Sequence, residues 1–171
     1  WVVHRLDKGT SGLVVFTRTA GAHRQLSMQF ERHETHKLYH AILVGEPAWN
    51  DHTARHPLRI NVGHSHRTVV DNAKGKPCET AFHVLERFDG HTLISASPAT
   101  GRTHQVRVHL AHIGHALVGD PTYAGRQWRA IEDSRVAAAC RDFPRQALHA
   151  WKLTITHPAS GEPMTFEAPI P

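Results

Sequence analysis

The chain has 171 residues, 40% hydrophobic and 20% charged, which is the composition of a single globular domain with enough apolar residues to bury a core. No run of 18 or more apolar residues occurs, which excludes a helical membrane span. Lys and Arg number 20 against 15 Asp and Glu, giving a net charge of +5 and a pI near 9.7, a balance that suits a polyanionic partner without demanding one.

Trp1-Val2-Val3 runs straight into His4-Arg5, so no signal peptide is read and the cytoplasm is the expected compartment. Residues 4–13, HRLDKGTSGL, set one carboxylate, Asp7, between a His-Arg-Leu run and a Gly-Thr-Ser-Gly turn. A strand feeding such a turn would hold a single acid up to a pocket. Leu13–Thr17 reads as a short buried strand. Ala22, Leu26 and Phe30 recur every four residues and predict an amphipathic helix within Thr19–His33, with Thr19 as N-cap. Lys37–Gly45 alternates as a strand and is stopped by Glu46-Pro47. Asn50–Gly75 is polar and reads as a loop or irregular hairpin, with Arg67–Val70 as an edge strand. Glu79–Arg87 and His91–Ser97 are strands joined through Asp89-Gly90, a strong hairpin signal. Val106, Leu110 and Ile113 mark a helix over Thr103–Ile113, ended by Gly114. Gln127–Arg141 predicts a surface helix, and Ala147–Thr156 with Met164–Ala168 are closing strands about the turn at 157–161. The sum is a single α+β domain over residues 1–171, a mostly antiparallel mixed sheet with a few packed helices.

Cys78 and Cys140 lie far apart and read as ordinary thiols in a reducing compartment. Seventeen histidines raise the question of a metal, and His104, His109, His112 and His115 are the closest group. No H-E-x-x-H and no Cys/His cluster is present, so these read as polar surface or capping histidines and no metal is expected. Ser11 has no G-x-S-x-G around it; Thr10 and Ser11 read as donors of turn hydrogen bonds.

The HRLDKGTSGL segment resembles the signature of the RluA-type pseudouridine synthases, H-R-L-D, two free positions, then T-S-G-L. Residues 100–120, TGRTHQVRVHLAHIGHALVGD, resemble a second stretch of that family, with Ala116 in place of its proline and Tyr123 following. Lys37-Leu38-Tyr39-His40-Ala41 is similar to its K-x-Y-x-A strand, and RQALHA at 145–150 with EAPIP at the end is similar to its closing strands. The resemblance implies the pseudouridine synthase fold and isomerisation of uridine to pseudouridine in ribosomal or transfer RNA. It makes Asp7 the catalytic residue, Arg107 its partner, Tyr39 the aromatic residue against the target uracil, and Val106 the aliphatic residue beneath it. Family members normally begin earlier, so the chain is expected to lack N-terminal strands, as a fragment or as a naturally short protein.

The chemistry agrees with these roles. The N1–C1′ bond breaks, the uracil turns, and C5 joins C1′; no atom is gained and no redox change occurs, so no cofactor is expected. One carboxylate serves as nucleophile at C1′, or takes a proton and sends the sugar through a glycal. The nucleotide must leave its stack, and Arg5, expected on the same side of a strand as Asp7, would fill the vacated space. Thr100-Gly101 allows a tight turn whose following amides could receive a phosphate. Arg18, Lys37, Arg59, Arg67 and Arg102 are candidate phosphate contacts. The expected partner is RNA, the expected state a monomer. The competing readings are a non-catalytic RNA-binding module that keeps the fold and a metal-dependent hydrolase using the histidines.

Overall fold

The apolar runs of the sequence become the inner strands of one mixed sheet, in a computed structural model that describes residues 1–63 and 67–171. The elements in chain order are β1 (Ser11–Gly12), α1 (Ala20–Glu31), β2 (His36–Val44), β3 (Asp51–Ala54), β4 (Leu58–Val62), β5 (Arg67–Val70), β6 (Thr80–Phe88), β7 (His91–Pro98), α2 (Gln105–His112), α3 (Ser134–Asp142), β8 (Leu148–Thr156) and β9 (Pro163–Glu167). Among the described residues seven strands form the main sheet in the order β1-β8-β2-β7-β6-β3, with β9 also on β8, while β4 and β5 make a separate hairpin. Among the described strands only β1 with β8 is parallel. The architecture is the predicted α+β one.

Strand β2 lies between β7 and β8 and supplies Ala41 and Leu43 to the core, where they meet Phe82, Ile94, Leu110 and Leu148. Its register with β8 jumps from Leu38–Lys152 to Tyr39–Ala150, so Trp151 is the extra residue of a bulge beside Tyr39. The β6–β7 hairpin turns at Asp89-Gly90 as the dipeptide predicts, with Gly90 at φ 73. Thr19 caps α1 by accepting from the Ala22 N–H at 3.2 Å, and Leu26 faces Leu153 and Ile155 of β8. Gln29 extends that grip: its amide donates to the Thr156 carbonyl at 2.8 Å and accepts from the Thr156 N–H at 2.9 Å.

Helix α2 is unusual in having Gln105 through Leu110 all buried. One side meets the main sheet; the other is covered by the β4–β5 hairpin, where Val108 packs with Leu58, Cys78, Val70 and Tyr123. A helix covered on both sides must satisfy its polar side chains internally, and α2 carries Gln105, Arg107 and His109.

Three sequence expectations are corrected here. The polar stretch 50–75 takes the irregular-hairpin alternative and not the loop: β5 falls on the expected Arg67–Val70 and pairs with β4 through a register shift, while β3 and β4 are strands the sequence did not mark, their cover supplied by β6 and α2 rather than by their own apolar content. The predicted helix over 127–141 breaks in two, a 3-10 turn at Gln127–Ala130 and α3, because Asp133 caps α3 by accepting from the N–H groups of Arg135 and Val136. The strand predicted over 13–17 pairs only at its ends, through β1 and the Leu13 N–H on one side and a Phe16–Val2 bridge on the other. Leu13 and Val15 still turn inward, and Val14 and Phe16 outward.

Strand β1 touches β8 so closely that only glycine fits. Gly12 sits at φ +111, and a Cβ there would lie 2.2 Å from the Ala150 carbonyl oxygen. Gly12→Ala is expected to cost about 3 kcal/mol or more through backbone strain and the clash together, seen as a lowered urea midpoint at unchanged m.

Candidate active site

Asp7 stands on a turn, not at the end of a strand: the Thr10 N–H donates to the Asp7 carbonyl at 3.0 Å, and residues 3–10 pair with no strand. Gln146, buried just before β8, fixes this turn from below, its amide donating to the Lys8 carbonyl at 2.8 Å and the Thr10 hydroxyl at 3.1 Å. Gly9, at φ +87, lets that amide in, since a Cβ there would come 2.9 Å from its oxygen. Ser11 is spent structurally, its hydroxyl 2.9 Å from His149 Nδ1. The Gly-Thr-Ser-Gly residues thus serve to anchor the backbone beneath Asp7 while its carboxylate stays partly open, 18% exposed.

Opposite the turn, Arg107 projects from α2 with only 4% of its side chain exposed. Its Nη1 lies 3.4 Å from Asp7 Oδ2. Its closer partner is Asp120, to which Nε donates at 2.7 Å and Nη2 at 2.9 Å, a bidentate pair. Asp120 is fully buried and also accepts from the N–H groups of Thr122 and Tyr123. Burial alone would raise its pKa, but the Arg107 and backbone hydrogen bonds hold its carboxyl below the usual range. Burial likewise acts to lower the Arg107 pKa, and the two carboxylates reverse it. The Tyr123 ring lies under the guanidinium, 5.1 Å from its centre, and Arg67 of β5 approaches the same ring at 5.2 Å.

Between turn and helix opens a cleft of about 400 Å³, inside the roughly 300–1,000 Å³ range of ligand pockets. Asp7, Tyr39, Arg107, Arg5, Arg102 and Val106 all line it, as do Lys37 and His104. Arg5 is exposed and on no strand, so the expected strand geometry relating it to Asp7 does not exist; the two share a cleft instead. Lys37 donates to the Thr100 carbonyl at 3.1 Å, and burial lowers its pKa. Arg18, Arg59 and Arg67 are not among the residues that form the cleft; Arg59 pairs with Asp71 at 2.8 Å. The Arg102 amide, one of those expected to receive a phosphate, already donates to Gln105 Oε1 at 3.0 Å. Gln105 also accepts from the Thr100 hydroxyl and donates to the Glu79 carbonyl and Thr80 hydroxyl, so it shapes the whole 100–105 bend.

Tyr39 is half-buried, and burial, with Asp7 adding to it, pushes its phenol up to about 12. Its folded pKa therefore exceeds the unfolded value near 10, and the neutral phenol favours the fold at all lower pH. That preference is lost as pH rises from about 10 to about 12. Tyr39→Phe is expected to flatten the stability loss over that window, measured as the urea midpoint at pH 9, 10 and 11.

The histidines divide differently from the surface reading. His109 is buried, with Nε2 donating to the His56 carbonyl at 3.0 Å and Nδ1 3.0 Å from the Thr80 hydroxyl, because α2 is covered on both sides. Among the described residues no three His, Cys, Asp or Glu side chains converge as a metal ion requires. Nor is any helix among them long and apolar enough to cross a membrane. Both cysteines are buried and unpaired. Asp120 and Gln146 are the site residues that sequence reasoning assigned no role; Asp120 was visible only as the last residue of the 100–120 stretch.

Residues 1–112, which carry Asp7, Tyr39, Arg102, Val106 and Arg107, match the family described as RNA pseudouridylate synthase, and the chain belongs to that family. The ribosomal large subunit pseudouridine synthase D of Nitrosomonas europaea is 43% identical over 177 residues, covering 99% of this chain and 48% of that protein. Its namesake in Pseudomonas aeruginosa is 42% identical, with 99% and 53% covered. The chain thus spans about half the length of the curated relatives it matches. Among solved structures, human RNA pseudouridylate synthase domain containing 1 superposes with a TM-score of 0.79 at 29% identity, over 99% of this chain and 69% of that one. Human RNA pseudouridylate synthase domain containing 4, at 23% identity and a TM-score of 0.77, shares the fold.

Proposed function

We propose that this chain isomerises uridine to pseudouridine in RNA, with large-subunit ribosomal RNA as the substrate and the cytoplasm as its place of action. The observation that carries the reading is Asp7, fixed on its turn 3.4 Å from a buried arginine and facing Tyr39 and Val106 across one cleft. The names of the relatives from Nitrosomonas and Pseudomonas support ribosomal RNA over transfer RNA.

In this reading Asp7 opens the reaction by attack at C1′ or by removing a sugar proton to form a glycal; in both, the C1′–N1 bond breaks with its electron pair leaving on the uracil. Arg107 orients the Asp7 carboxylate, although Asp120 takes most of its hydrogen-bonding capacity. Tyr39 offers a ring for the base and a hydroxyl that stays protonated at neutral pH. C5 then joins C1′, the Asp7 bond or the glycal is resolved, and the C5 proton is lost while N1 gains one. Arg5, Arg102 and Lys37 on the rim supply the positive charge for a phosphate-bearing nucleotide.

The test is tritium release from RNA labelled at uracil C5, run on large-subunit ribosomal and transfer RNA transcripts. Release from the ribosomal transcript alone is the expected result. Release from transfer RNA alone overturns the substrate, and no release from either by folded protein leaves the second reading, an RNA-binding module with the synthase fold.

A further inference from the structure

His104 occupies a position its backbone resists. It opens α2 at φ 56 and ψ 18, in the left-handed region that costs a non-glycine residue roughly 1–2 kcal/mol. The ordinary reason for a polar residue there is to cap the helix, yet His104 makes no side-chain cap. Its ring instead turns into the cleft that holds Asp7, Tyr39 and Arg107.

The ring's tautomer follows from its neighbour. His104 Nδ1 lies 2.8 Å from the Tyr123 hydroxyl, which itself accepts from the Thr68 N–H at 3.1 Å. Thr68 donates to the oxygen, and among the described residues the hydroxyl hydrogen has no acceptor other than Nδ1, so it goes there and the ring proton sits on Nε2. Among the described residues no hydrogen bond is made to Nε2. Burial lowers the His104 pKa, Asp7 opposing and Arg107 adding to the effect, so the ring is neutral at neutral pH. The result is one uncharged N–H donor, fixed in orientation and without an acceptor among the described residues.

We propose that His104 is a further catalytic residue whose Nε2–H donates to a carbonyl oxygen of the uracil as it leaves C1′. The inference rests on the function proposed above. In both routes the pair from the C1′–N1 bond leaves with the base, and the negative charge spreads over the ring nitrogen and the carbonyl oxygens. A preoriented neutral donor stabilises that charge without adding a second cation to compete with Arg107 for Asp7. This also accounts for the strain, since the left-handed backbone swings the ring away from the helix end and toward Tyr123 and the cleft.

Two substitutions separate this role from a structural one. His104→Asn suits the left-handed backbone and keeps an acceptor for the Tyr123 hydroxyl, but it is too short to carry a donor to the Nε2 position. His104→Gln places an amide N–H₂ near Nε2 and gives up the Tyr123 bond. We expect His104→Asn to lose roughly 10²-fold in kcat with unchanged affinity for the transcript and unchanged melting temperature, and His104→Gln to stay within about tenfold of wild type. The reverse order, Asn active and Gln inactive, overturns the proposal in favour of a purely structural Tyr123 contact. The second readout needs no turnover: in ¹⁵N NMR, millimolar uridine monophosphate should shift the His104 Nε2–H resonance downfield. No shift overturns the contact even in an active enzyme, whereas a shift in a protein that releases no tritium upholds the contact and overturns the activity.

Discussion

Asp7→Asn is expected to lower tritium release by at least about 10⁴-fold while RNA affinity stays within about tenfold, because in the proposed reaction the carboxylate acts on bonds of the sugar and not on phosphates. The variant should fold normally, for three reasons found in the site. The turn beneath Asp7 is closed by its backbone carbonyl, which Asn keeps. Arg107 retains its bidentate pair with Asp120, so no buried charge is left alone. The lost contact is the long one, 3.4 Å, to a partly exposed carboxylate, worth at most about 1 kcal/mol. The informative experiment pairs single-turnover tritium release with filter binding and a melting curve on the same preparations. Full activity in Asp7→Asn would remove the central residue of the proposed function; loss of activity with loss of folding would contradict the account of the turn.

The parts of this site that could be read from the sequence are those whose geometry is local. HRLDKGTSGL exposes its turn because Gly9 and Gly12 must occupy backbone conformations that other residues resist, and those needs are written in the residues themselves. Tyr39 is legible as one position of an alternating strand, and Val106 as one position of a helical stripe. What was misread depends on distant partners. Short β3 and β4 hold because β6 and α2 cover them, so within residues 50–75 only Arg67–Val70 reads as a strand from the sequence. The strand expected before Asp7 fails for the opposite reason: Gln146, more than 130 residues away, clamps the segment by side-chain bonds and leaves no ladder to join. Arg107 was assigned one carboxylate and has two, since the closer one, Asp120, reaches it only after the chain has left α2 and turned back.

That second carboxylate makes the other large prediction. Asp120 has no exposed side-chain surface, and Arg107 has almost none, so removing the acid strands a buried guanidinium. Asp120→Ala is expected to cost about 3–5 kcal/mol, the range for breaking a buried ion pair by deleting one partner. Asp120→Asn keeps one oxygen to accept from Arg107 but loses the charge and places an amide N–H₂ beside the donors of Arg107, Thr122 and Tyr123. Its stability should lie between wild type and Asp120→Ala. Freed from Asp120, the guanidinium turns toward Asp7, and an oriented contact becomes a tight pair that weakens the carboxylate in either proposed route; kcat should fall roughly 10²-fold with RNA affinity unchanged. The pH dependence carries a sign that tests the same pair. A carboxyl held below its ordinary value in the fold contributes stability that is complete above the unfolded value near 4 and is lost as pH falls through the folded one. Wild-type stability should therefore drop on acidification below about pH 4, and Asp120→Asn should drop less steeply there, by urea midpoints taken from pH 5 down to 2.5. Equal slopes in the two proteins would mean that Asp120 does not hold Arg107 as an ion pair, and the orientation of Arg107 toward Asp7 would need another cause.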